Sequence, residues 1–437
     1  MFIKNIYLKN FRGFAEREFH FEKQFSVLVG ENGKGKTACL EALCVALGGW
    51  LYGFDGLETA DKRNFRKNDI REVAAKVSAA LLPQVPVLVK CQADIRGEMV
   101  EWERSVNKIN GHTTYGGLRE LNQITQGYSA RIYSRDDMDL ILPVVAYYSA
   151  ARLWSEPIRR SKQYKKQKIR IKGYAKSLQF EQSINDTLEY LDVLAHRAQK
   201  RPEESGEFDT VMQALKTCLG RIQPGITVDY DIASAEVIVI FPDKTKISYA
   251  QLSDGYRCML SLIVDIAYRM ATLNPQLKEQ ALLETPGVVL IDELDLHLHP
   301  KWQRLVVADL KKIFPKVQFI ATTHSPFVIQ SLEAGELISL DEEQSVNAPY
   351  SGQSIEDIAE EIMGVEIPQY SQKKQEMYKA AAAYYEALDR AASEEDLETL
   401  REELMLLSEK YGDNVAYYAF IEQKYHAKKV AIEAMKR

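Results

Sequence analysis

Long apolar runs are missing from this chain of 437 residues. No stretch approaches the ~18 consecutive apolar residues that a membrane-crossing helix needs, so no membrane association is expected. Cysteine is scarce: Cys39, Cys44, Cys91, Cys218 and Cys258 are scattered, without a C-x-x-C pair. This excludes a disulfide or cysteine–zinc framework and fits buried thiols in a reducing, cytoplasmic compartment. The N-terminus opens on a strand pattern, not a signal peptide. A basic surplus is absent too. The net charge is −6, so any nucleic-acid surface must be local. With 46% hydrophobic and 27% charged residues, neither disorder nor a membrane class is favoured. The length suffices for two or three lobes and a sizeable core.

What is present begins with Gly30-Glu31-Asn32-Gly33-Lys34-Gly35-Lys36-Thr37, which fits the phosphate-binding pattern G-x-x-x-x-G-K-[ST]. Phe25–Val29 before it reads as a buried strand. Ala38–Leu47 after it reads as a helix with Leu40, Leu43 and Leu47 on one face. A glycine turn entering a helix N-terminus offers backbone N–H groups and positive dipole potential to an anion. Gly30, Asn32, Gly33, Lys34, Gly35 and Ala38 are the candidate nucleotide-cradling positions. Lys36 would reach the β- and γ-phosphates, and Thr37 would hold Mg²⁺.

Upstream, Met1–Phe21 reads as two strands joined by a turn at Asn10–Phe14, with Arg12 placed to lean on nucleotide phosphates or to remain a surface arginine. Val85–Ile95, Glu98–Val106 and Pro143–Tyr148 are further strands. Tyr148 and Arg152 are candidate sensors, and Gln84 or Gln92 is a guess for a glutamine near Mg²⁺. Pro157–Lys176 is a basic run, with Arg159, Arg160, Lys162, Lys165, Lys166, Lys168, Arg170, Lys172 and Lys176, and with Tyr164 and Tyr174 interleaved. Such a run can contact DNA or RNA phosphates while aromatics stack on bases, or can be a solvated loop. Phe180–Gln199 and Phe208–Leu219 have helical spacing, and Ile226–Ile232 and Val237–Phe241 read as a returning strand pair.

Three further motifs follow. Ser253 and Gly255 open a long apolar helix ending near Leu273, a second anion site that also reads as a plain N-cap. Gly287–Glu293 is an apolar strand ending in two acids. Asp292 would bind Mg²⁺, while Glu293, pointing the other way, would orient and deprotonate water. His297 and His299 alternate beyond it, which reads as structural more readily than as a metal pair. Phe319–Thr323 is another buried strand, ending at His324 and followed by Ser325-Pro326.

Over Met1–Asp341 this set resembles the ABC-type ATPases of the SMC/RecF/OLD group, with Asp292–Pro300 and Thr322–Pro326 especially OLD-like. The resemblance implies an α/β fold: an ABC-type P-loop NTPase core of mixed sheet and helices, with an inserted helical lobe and a C-terminal helical region. It implies ATP and Mg²⁺ as cofactors, and a homodimer or higher homo-oligomer in which Ser253 and Gly255 face the γ-phosphate held by another subunit. Asp295 would lie in the dimer-contact loop, and His324 would be the switch histidine beside the γ-phosphate. The chain departs from the family's Leu-Ser-Gly-Gly-Gln signature at Asp254, Tyr256 and Arg257. The expected division is 1–150 and 223–345 for the two ATPase halves, 151–222 for the inserted lobe and 346–437 for a partner-docking region. That last region is Ala/Glu/Lys-rich and helical, with Tyr384, Tyr385, Tyr417, Tyr418 and Tyr425, and lacks a Toprim pattern. A compact OLD-like ATPase of this kind resembles the PtuA-type subunits of Septu and retron-associated anti-phage systems, where a separate HNH nuclease of the PtuB type does the cutting. A nucleotide-gated scaffold with little turnover and a RecF-like repair ATPase are the alternatives.

Overall fold

The computed structural model describes residues 1–75, 80–135, 137–153, 170–179, 184–202, 205–341 and 349–365, with isolated positions from 368 to 406. The chain divides into two compact units, Met1–Ile358 and Ala359–Arg437.

The strands separate by burial pattern into two different kinds of sheet. Strands β1 (Phe2–Phe11), β2 (Phe14–His20), β6 (Val87–Ile95) and β7 (Glu98–Val106) form an antiparallel sheet in the order β2-β1-β6-β7. Along β6, buried and half-buried residues alternate strictly, the mark of a sheet with one face on the core. Strands β3 (Phe25–Val29), β8 (Val144–Tyr148), β12 (Gly287–Ile291) and β13 (Val317–Thr322) are instead buried at every position. With β14 (Leu337–Ser339) they form a fully parallel sheet in the order β14-β3-β13-β12-β8. Continuous Val, Ile, Leu and aromatic runs suit parallel strands covered on both faces. Two small antiparallel sheets complete the set: β4 (Glu72–Ala74) with β5 (Leu81–Pro83), and β9 (Thr227–Asp231) with β10 (Glu236–Ile240) and β11 (Lys246–Ser248).

Helix α1 (Lys36–Tyr52) contacts strands of both large sheets, and its side chains are buried nearly all round. It runs five residues beyond the expected Leu47, through Gly48 and Gly49. A Cβ at Gly48 would lie 2.4 Å from the Arg63 carbonyl and 2.8 Å from Arg104 Nη1. The buried Arg104 guanidinium donates to the carbonyls of Val45 at 2.7 Å and Arg63 at 2.6 Å. Packing, not helix propensity, carries α1 through the glycine pair.

The remaining helices are α2 (Arg119–Arg135), α3 (Ile184–Lys200), α4 (Gly206–Ile222), α5 (Asp254–Leu273), α6 (Ala281–Glu284), α7 (Pro300–Gln303), α8 (Val306–Ile313), α9 (Pro326–Gln330) and α10 (Ile355–Glu361). Helices α3 and α4 both pack on α5. Where positions between 374 and 406 are described, they are helical. Tyr384, Tyr385, Tyr417, Tyr418 and Tyr425 lie outside the described residues, as does the basic stretch 159–169.

The described end of that basic run has a structural task. Arg170 is buried and donates to the carbonyls of Leu273 at 2.6 Å and Asp137 at 2.8 Å, and also to that of Leu140. Tyr174 is fully buried, and its hydroxyl donates to the Pro143 carbonyl at 2.8 Å. Neither is available to phosphates or bases. Both staple this segment to the core, correcting the sequence-based expectation for these two positions.

Candidate nucleotide site

In a parallel sheet the loops after the strand ends converge at one edge, where ligands bind. Here β3 leads into the phosphate loop, β12 into Asp292 and Glu293, β13 into His324, and β14 into Asp341. Strand β13 lies between β3 and β12, so its terminal residue is placed to bridge their loops.

The loop's shape follows from its glycines. Gly35 caps α1 with φ 103°, and a Cβ there would fall 2.5 Å from Cζ of Phe14. The β1–β2 hairpin therefore presses an aromatic ring onto the loop, and only glycine fits beneath it. Lys36 is buried, and its Nζ donates to the carbonyls of Gly30 at 2.6 Å and Glu31 at 3.0 Å. Burial lowers its pKa, while the carboxylates of Asp341, Asp292 and Glu293 act to raise it.

Asp292 is buried, and hydroxyls meet it from helix α1 and strand β13. Thr37 Oγ1 donates to its Oδ2 at 3.0 Å and Oδ1 at 3.2 Å, and Thr322 Oγ1 donates to Oδ1 at 2.6 Å. A carboxylate and a hydroxyl at the foot of a phosphate loop are hard oxygen donors of the kind Mg²⁺ takes, with phosphates and water completing the shell. The residues present therefore fit Mg²⁺ and a nucleotide. Among the described residues no group of three or more His, Cys, Asp or Glu side chains is placed to hold a metal ion. His299 Nδ1 accepts from the Lys301 N–H at 3.2 Å and so caps α7.

Glu293 adopts φ 51°, a left-handed conformation uncommon for a side-chain-bearing residue, and its N–H donates to Thr322 Oγ1 at 2.8 Å. Backbone strain of this kind costs about 1–3 kcal/mol and concentrates at functional sites. His324 is exposed, and its N–H donates to Asp295 Oδ1 at 3.2 Å.

Other candidates lie elsewhere. The Arg12 guanidinium donates to Asp69 Oδ1 at 3.1 and 3.2 Å and pairs with Glu41 on α1. Tyr148 points into the protein. Its hydroxyl donates to Asp265 Oδ2 at 2.6 Å, and Arg269 Nε donates to the same oxygen at 2.7 Å. Burial pushes the Tyr148 phenol well above its ordinary value, with Asp265 adding to the rise. It holds β8 to α5 and is not a nucleotide sensor. Arg152 lies in a short 3₁₀ turn, Ala150–Leu153, and its side chain is outside the described residues. Gln92 accepts from Asn5 within the antiparallel sheet at 3.5 Å, and Gln84 donates to the Leu82 carbonyl at 2.9 Å. Neither is the glutamine sought beside Asp292.

Ser253 and Gly255 sit at the N-terminus of α5, in an open cleft of about 860 Å³ lined also by Tyr256, His297, Leu298 and Trp302. No residue of the phosphate loop lines it.

At the phosphate loop, an acid escaped sequence reasoning. Asp341, 310 positions from the loop, accepts the Glu31 N–H on Oδ2 at 2.9 Å and pairs with Lys34 at 3.2 Å. An acid just beyond a short strand carries no motif that could have announced it.

The profile of the AAA domain family matches residues 5–223, half of the chain, and that of the AAA ATPase domain matches 149–329. The chain belongs to the AAA-domain family. It is an ATPase, and it resembles the ABC-type ATPases of the SMC and RecF group and PtuA. Among similar proteins, the retron Vc95 probable ATPase of Vibrio cholerae is 24% identical over 78% of this chain and 73% of that protein. The Septu protein PtuA of Bacillus thuringiensis is 36% identical over 34% of this chain and 40% of that protein. Among solved structures, the SmcHead bound to the C-winged helix domain of ScpA aligns over 78% of this chain and 94% of that one, at 18% identity and TM-score 0.48. Among the described residues no helix is long and apolar enough to cross a membrane.

Proposed function

We propose that this ATPase works as a homodimer or larger homo-oligomer whose ATP-dependent closure controls a separate HNH nuclease in anti-phage defence. The supporting observation is the separation of two anion-binding elements. The phosphate loop with Asp292 is one, and the Ser253–Gly255 helix terminus in its own cleft is the other. A second copy would bring its Ser253 and Gly255 to the nucleotide held by the first.

In this reading Gly30, Asn32, Gly33, Lys34, Gly35, Lys36 and Ala38 cradle the phosphates. Thr37 and Asp292 hold Mg²⁺, which when bound offsets phosphate charge. Glu293 orients the attacking water and accepts its proton, and His324 contacts the γ-phosphate. Arg12, which pairs with Glu41 and Asp69, would lean on the phosphates only by leaving those acids. Residues 1–150 and 223–345 are the two ATPase halves, 151–222 is an inserted lobe, and 346–437 docks the partner. The retron and Septu names of similar proteins support the defence setting.

The test is light scattering of the Glu293→Gln protein with and without Mg-ATP. ATP-dependent growth in mass, abolished by Ser253→Arg, is expected. An ATP-loaded protein of unchanging mass would refute the assembly mechanism. Co-expression with a small HNH nuclease, followed by ATP-dependent co-purification, tests the partner.

A further inference from the structure

Gln303, the last residue of α7, is a bridge between two loops at the site. Its Nε2 donates to the carbonyls of Leu298 at 2.9 Å and Asp295 at 3.3 Å. Its Oε1 accepts from Ser325 Oγ at 2.7 Å. Ser325 follows His324 directly, and its hydroxyl caps α9 by accepting from the N–H groups of Phe327 at 3.1 Å and Val328 at 3.3 Å. On the other side, the Asp295 carboxylate accepts from the Thr323 hydroxyl and the His324 N–H. His324 is thus fixed on both flanks, and both anchors lead back to loop 294–299. The bridge needs a side chain that donates twice and accepts once, which a primary amide does.

We propose that Gln303 is a positioning residue for ATP hydrolysis, holding His324 in register with loop 294–299. This rests on the assignment of His324 to the γ-phosphate. Gln303 then acts on the chemical step and not on nucleotide affinity.

Two variants test it. Gln303→Ala removes the bridge. Gln303→Glu keeps nearly the same volume and the acceptor for Ser325 but sets a carboxylate against two carbonyl oxygens; it carries the test if the alanine variant does not fold. Each should lower kcat about tenfold, leaving the ATP KM and the Kd for a non-hydrolysable analogue within about twofold. In a His324→Ala background, neither should lower kcat further, because residues acting as one unit are not additive. A folded Gln303 variant with full kcat would overturn the proposal, as would loss of affinity in place of kcat. So would a further, independent loss on top of His324→Ala. If His324→Ala alone hydrolyses ATP normally, the assignment of His324 fails and this inference with it. If His324→Ala is impaired and the Gln303 variants are not, this inference alone fails.

Discussion

Thr37 Oγ1 rests on both carboxylate oxygens of Asp292, at 3.0 and 3.2 Å, although 255 positions separate the two in the chain. The parallel sheet makes this meeting possible, since β3 and β12 end at the same edge with only β13 between them. Thr322, at the end of β13, adds its hydroxyl to the same carboxylate at 2.6 Å. Removing the Thr37 hydroxyl should therefore weaken the Mg²⁺ site without unfolding the sheet. Thr37→Val is expected to lower kcat about hundredfold and to raise the Mg²⁺ concentration for half-maximal rate. Titration of phosphate release against Mg²⁺ measures both, and an unchanged Mg²⁺ dependence would remove Thr37 from the site.

Lys36 and Glu293 should separate binding from chemistry. Lys36→Ala is expected to weaken ATP at least about hundredfold, roughly 2.7 kcal/mol. Glu293→Gln is expected to keep ATP bound while slowing hydrolysis about 10²–10⁴-fold, the span of a lost general base. Fluorescent-nucleotide binding and single-turnover hydrolysis distinguish the two. Unaltered hydrolysis by Glu293→Gln would cancel the general-base assignment.

Asp341 places a carboxylate where polyphosphate is to bind. Asp341→Asn keeps an acceptor for the Glu31 N–H but releases Lys34 from its ion pair. ATP affinity should rise about two- to fivefold at low salt, with the gain shrinking as ionic strength grows. Isothermal titration at two salt concentrations checks this. Weaker binding would mean that Asp341 chiefly braces the loop.

Tyr148→Phe should cost stability and spare catalysis. Its hydroxyl is bonded to the buried Asp265–Arg269 pair, and a bond to a charged group contributes about 1.5–3 kcal/mol. Urea denaturation should show a loss of that size, with the ATP KM unchanged. A raised KM in a fully stable variant would restore Tyr148 as a nucleotide contact.

The thiols set an alkaline limit. Burial raises Cys39, Cys44 and Cys91 far above their ordinary 9.0, and Cys218 to about 12. Between the unfolded and folded pKa values the native state binds more protons, so stability falls as pH rises above 9.0. Each thiol contributes about 1.4 kcal/mol per pH unit there. Denaturation midpoints from pH 8 to 10 should decline, and a Cys218→Ser protein should decline less steeply.

The sequence alone marked the phosphate loop, the acid pair, His324 and the strand–helix succession, because each is a local pattern. Apolar runs that end in glycine, acid or histidine carry their chemistry within about ten residues. The long buried strands were legible for the same reason, and so was α5, whose expected end at Leu273 is its observed end.

Only the tertiary structure decided which polar residues serve the site and which serve the scaffold. Arg170, Tyr174 and Tyr148 looked like surface or sensor groups but are buried stitches. Asp341 and Gln303 looked ordinary but touch the loops that matter. The reason is physical: a side chain's hydrogen-bond partner is fixed by sheet order and register. Those pairings join residues hundreds of positions apart, beyond the reach of any local periodicity.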